Sequence, residues 1–81
     1  MKARVFVRLK ETVLDPQGET IARALISRGY GEIAGVRQGK VFDIAIGNGV
    51  DRATVEKRIE EIARDVLSNP VIEEYRFEIL D

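Results

Sequence analysis

Along residues 3–10 apolar and polar side chains alternate with period two. Val5, Val7 and Leu9 fall on one face, and Arg4, Phe6, Arg8 and Lys10 on the other. This is the pattern of a half-buried strand with an aromatic on its polar side. The period then changes. Asp15-Pro16 supplies a helix N-cap and a proline suited to the first helical position. Ile21, Ala22, Leu25 and Ile26 follow at helical spacing, and Gly29 is placed to end the helix. Gly18 weakens the first turn, which implies either fraying or the close approach of another segment. Residues 32–38 and 40–46 read as two further strands around Gln38-Gly39, a pair suited to a tight hairpin turn. The second of them sets Phe42, Ile44 and Ile46 opposite Val41, Asp43 and Ala45. Asp51 can cap a second helix, with Val55, Ile59, Ile62 and Val66 as its apolar stripe and Ala63 and Leu67 widening it. Glu60 and Arg64 stand at the spacing of an attractive pair, and helix continuation stops before Pro70. Residues 71–80 alternate again, with Val71, Glu73, Tyr75, Phe77 and Ile79 on one face and Ile72, Glu74, Arg76, Glu78 and Leu80 on the other.

The order strand, helix, strand, strand, helix, strand predicts an α+β, ferredoxin-like βαββαβ fold. Its four-stranded antiparallel sheet carries both helices on one face, with the first and third strands central. A chain of 81 residues has room for one domain, spanning 1–81. The face without helices displays Phe6, Val41 and Ala45 among charged residues. A small core, that partly apolar face and a lightly charged edge at 32–38 together predict a homo-oligomer, with Phe6, Val41 and Ala45 as candidate contacts.

Composition narrows the chemistry more than it specifies it. The chain has no Cys, His or Trp, so thiolate zinc sites, cysteine nucleophiles and histidine general bases are excluded. Thirteen basic and 14 acidic residues give a formal charge of −1, without the basic excess of a nucleic-acid binder. No apolar run approaches the roughly 20 residues needed to cross a bilayer, and the N-terminus has no signal-peptide core. The default is a soluble cytoplasmic protein. Glu60-Glu61 and Glu73-Glu74 do not converge, because helix neighbours diverge by about 100° and strand neighbours point to opposite faces. Gly29-Tyr30-Gly31 and Gly47-Asn48-Gly49 lack the third glycine of a dinucleotide loop and read as turns. An RNA-binding module of this topology would need aromatics where Val41 and Asp43 stand. Residues 10–15 carry one cation and no glycine, which is poor for a phosphate cradle.

The segments LKETVLDPQGETI (9–21), GYGEIAGVRQGKVFDI (29–44) and NPVIEEYRFEI (69–79) resemble the PurS family, small subunits of phosphoribosylformylglycinamidine synthase. The resemblance implies a subunit without an active site or cofactor of its own, since ATP and Mg²⁺ belong to the synthetase subunit. It implies a cytoplasmic purine-biosynthesis complex in which a homodimer or homotetramer joins a PurL-type synthetase to a PurQ-type glutaminase and supports ammonia transfer. Neither nucleic acid nor membrane is expected as a partner. Arg37 and Lys40 at the expected hairpin tip, with Asp15 and Gln17 at the first helix start, are the candidate contacts to the larger subunits. A ligand-sensing regulatory module of the same topology is the alternative.

Overall fold

A computed structural model describes all 81 residues. β1 (Lys2–Leu9) is followed by α1 (Pro16–Ser27), β2 (Gly39–Ala45), α2 (Arg52–Ile62), a π-helical turn (Ala63–Leu67) and β3 (Glu73–Leu80). β1 is central, and both neighbours run antiparallel to it in the order β2-β1-β3. The alternation of β1 is realised as expected. Ala3, Val5 and Val7 are fully buried under Val55, Ile59 and Ala63, and Phe42, Ile44, Tyr75, Phe77 and Ile79 pack around this cluster.

The four-stranded sheet expected from the sequence is not formed. Residues 32–38 join no strand, so the 40–46 strand is an edge rather than a central element. Gln38-Gly39 is likewise not a hairpin tip; Gly39 opens β2 opposite Arg8. The reason lies at the start of α1. Asp15 caps that helix, accepting the Gly18 N–H at 3.0 Å through Oδ1. Its Oδ2 accepts the Gln38 N–H at 2.7 Å. The Arg37 Nη2 donates to the carbonyls of Lys10 and Val13 at 2.8 and 2.9 Å. A Cβ at Gly18 would lie 2.2 Å from the Val36 carbonyl oxygen, so glycine is required for this approach. These contacts commit 36–38 to the α1 junction, where Asp15 satisfies the Gln38 donor that a sheet partner would otherwise take.

Both helices were expected on the sheet, and only α2 lies there. α1 contributes no residue to the core, and Leu14, Ile26 and Tyr30 are exposed. With its return segment α1 forms an arm, and the chain measures 52 × 26 × 14 Å. Its radius of gyration is 16.4 Å, against about 12 Å for a compact domain of this length.

At the end of α2 the stripe also shifts. Val66, expected inside, is 73% exposed, while Leu67 packs against the core. The π turn holds more residues per turn than an α-helix and so rotates Leu67, rather than Val66, over Ala63. Ser68 closes it by donating from Oγ to the Ala63 carbonyl at 2.7 Å. Glu60 and Arg64, expected as an attractive pair, form no ion pair. Arg64 pairs with Asp65 at 2.8 Å, and Glu60 accepts from the Tyr75 hydroxyl at 2.5 Å. No helix is long and apolar enough to cross a membrane.

Candidate interaction surface

The face of the sheet away from α2 is built by cross-strand pairing. Arg4 stands between Asp43 and Glu78, Phe6 between Val41 and Arg76, and Arg8 between Gly39 and Glu74. This register turns a row of mixed residues into defined pairs. Arg4 Nε meets Asp43 Oδ1 at 2.8 Å, and Arg8 Nε meets Glu74 Oε1 at 2.6 Å. The Arg76 guanidinium lies over the Phe6 ring, 3.9 Å from its centroid. The hydrogen bond from Arg4 holds the Asp43 carboxyl below its usual range, and that bond with the opposing charge holds the Arg4 guanidinium protonated.

A groove of about 630 Å³ opens where this face meets the α1 junction. Arg37, Lys40, Arg8 and Arg76 line it with one carboxylate, Glu74, and with Phe6 and Val41 on its apolar side. Lys40 Nζ lies 3.9 Å from Glu73 Oε2, a loose contact, whereas Arg37 and Arg76 form no ion pair. A second hollow beside it is bordered by Lys40, Asp15, Pro16 and Gln17.

Six of the seven residues singled out from the sequence therefore gather at one end of the molecule, and Ala45 stands apart, opposite Lys2 at the far end of β2. Arg37 and Asp15 are pins of the fold as well as surface candidates. Asp15 is only 5% exposed, and the N–H groups of Gly18 and Gln38 draw its carboxyl below the usual range. Arg76 and Glu74 were not singled out. Alternation placed both on the open face with Phe6, but only the register brings Arg76 to the ring. No group of His, Cys, Asp and Glu side chains is arranged to hold a metal ion.

The PurS profile, described as phosphoribosylformylglycinamidine (FGAM) synthase, matches residues 2–81. The chain is 42% identical to the PurS subunit of Bacillus subtilis, with 96% of this chain and 90% of that one aligned. It is 38% identical to the PurS subunit of Methanocaldococcus jannaschii, over 96% of this chain and 93% of the relative. Among solved structures, Bacillus subtilis PurS superposes with a TM-score of 0.83 at 40% identity, covering 99% of this chain and 98% of its own. A chain in the structure of PurLQS from Thermotoga maritima superposes with a TM-score of 0.86 at 28% identity, covering 98% and 95%. With its arm, its three-stranded sheet and nearly every residue matched, this chain belongs to the PurS family of phosphoribosylformylglycinamidine synthase subunits.

Proposed function

We propose that this chain is the non-catalytic coupling subunit of a cytoplasmic phosphoribosylformylglycinamidine synthase. It joins a PurL-type synthetase to a PurQ-type glutaminase so that ammonia released from glutamine reaches the synthetase. The observation that carries this reading is the likeness, along almost the whole chain, to a chain in PurLQS from Thermotoga maritima. The chemistry of the chain agrees. Without Cys or His it has no thiol–imidazole pair for glutamine hydrolysis. ATP and Mg²⁺ are handled by the synthetase. What the chain offers is surface, and docking works by raising the effective concentration of one subunit beside the other.

The arm supports a homo-oligomer as the working form. α1 presents an apolar stripe that its own sheet does not cover, and α2 packs toward β3, leaving Phe42 and Ile44 of β2, and Ile46 just beyond it, half-buried. These two apolar surfaces are complementary but lie apart within one chain. A second copy brings them together by laying its α1 on the β2 half of the sheet.

The test is synthesis of formylglycinamidine ribonucleotide by the two larger subunits, driven by glutamine or by ammonium, with and without this chain. Glutamine-driven turnover is expected to require it and ammonium-driven turnover to proceed without it. Equal glutamine-driven rates in both conditions would overturn the reading.

A further inference from the structure

We infer that the groove between the open sheet face and the α1 junction is the seat of an acidic segment from one of the larger subunits, with an aliphatic or aromatic side chain set between its carboxylates. This rests on the coupling role above and names the chemistry of one of its contacts.

Charge distribution is the first argument. The whole chain is slightly acidic, yet this one groove gathers four cations against a single carboxylate. The second is how those cations are engaged. At the opposite end of the same face Arg4 is paired with Asp43, and within the groove Arg8 is paired with Glu74. Arg76 has no carboxylate partner, and the 3.9 Å contact of Lys40 is too long to be a hydrogen bond, while the Arg37 guanidinium is held at the rim by the Lys10 and Val13 carbonyls. The positive charge of Arg76 and Lys40 is left for a ligand to meet. The third is the apolar side of the groove. Val41 is 57% exposed, and Phe6 beside it is half-buried and held in place by Arg76. An aromatic and an aliphatic flanked by arginines resemble the centre of a protein interface, where a few packed anchors dominate the energy and the charged rim sets specificity and on-rate.

A protein segment fits better than a free phosphate compound. Phosphate sites draw on backbone N–H groups at a helix N-terminus or in a nest. Here the Gln38 N–H is already bound by Asp15, and Arg76 occupies the Phe6 face that a nucleobase would stack on.

The closing experiment measures binding of the chain to a mixture of the synthetase and glutaminase subunits across a salt series. It compares the unaltered chain, the pair Lys40→Glu/Arg76→Glu, the milder pair Lys40→Gln/Arg76→Gln, and a control pair Lys57→Glu/Arg58→Glu on the outer side of α2. Circular dichroism and light scattering check fold and oligomer size for each. Reversal is expected to weaken binding by roughly 10-fold or more and the glutamine pair by less, both with a shallower dependence on salt, while the control binds like the unaltered chain. If the unaltered chain binds and a folded groove variant binds equally well with the same salt dependence, the groove assignment is overturned and the coupling role stands. If the unaltered chain fails to bind at all, the coupling role itself fails. Saturable shifts of Phe6, Lys40 and Arg76 resonances by inorganic phosphate or adenosine monophosphate at submillimolar concentration would instead assign the groove to a small anion and overturn the protein-segment proposal.

Discussion

Asp15 shows how much one carboxylate can organise. As a cap it satisfies a helix donor, and as a clamp it fixes the segment that leads into β2. Its carboxyl is drawn below the usual range by the donors of Gly18 and Gln38, with Arg37 adding to the effect. A depressed folded-state value means that this contribution is complete above the ordinary carboxylate range and is lost as the pH falls through the folded-state value. Asp15→Asn is therefore expected to lower Tm by roughly 5–10 °C at pH 7 and by progressively less toward pH 3, followed by thermal melts at each pH. A smooth, pH-independent loss would contradict the electrostatic part of the account. Gly18→Ala probes the same junction from the other side. Alanine normally favours a helix, but here its methyl meets the Val36 carbonyl oxygen, so a lower Tm is expected where helix propensity alone would raise it. The sequence displayed Asp15 as a cap and Gly18 as an anomaly. It did not display that one explains the other, because the explanation runs through Val36, which lies beyond the far end of α1 in the chain.

Elements were legible wherever period and burial agreed. β1, β2, β3 and α2 occupy their expected stretches because each has one face on the core, and alternation or helical spacing records that directly. Residues 32–38 misled because a turn-like Gln38-Gly39 pair suggests a hairpin but does not supply the strand's hydrogen-bonded partner. The segment lies along α1, with the Gln38 N–H committed to Asp15 and the Arg37 side chain to the Lys10 and Val13 carbonyls. The end of α2 misled for a different reason, since a 3.6-residue period was projected through a turn that is π-helical. The two stripes make opposite forecasts for neighbouring residues. Val66→Lys is expected to change stability by less than about 0.5 kcal/mol, because the side chain is already in solvent. Ile59→Ala, at the centre of the buried stripe, is expected to cost about 2–5 kcal/mol in denaturant unfolding. A large loss at Val66 would restore the straight helix.

At the scale of the molecule, an elongated chain with a small core points to association. Ile21 and Ile26 separate a free arm from a docked one: they are 39% and 50% exposed in the single chain, so a charge there costs little while the chain stands alone. Ile21→Asp and Ile26→Asp are expected to reduce the mass in light scattering to that of one chain and to leave secondary structure intact. An unchanged mass would place the contact between copies elsewhere. The candidate surface was legible in part at this scale. Phe6, Val41, Arg37 and Lys40 were visible as a hydrophobic pair and a basic pair, but their meeting in one groove depends on strand register and on the path of the arm, which no local pattern encodes.

The unpaired stretch at residues 31–38 has a consequence for the life of the protein in the cell. It begins in a turn and continues without regular structure, contains Gly31 and Gly35, and between Gly31 and Arg37 forms a single backbone–backbone hydrogen bond, from the Ile33 N–H to the Tyr30 carbonyl. Backbone of this kind enters a protease cleft without prior unfolding. In the proposed assembly the arm of one copy lies against another, whereas the arm of a single copy is bare. Cleavage in the 31–38 region should therefore fall steeply as concentration rises through the assembly range, so that surplus copies are removed and assembled ones persist.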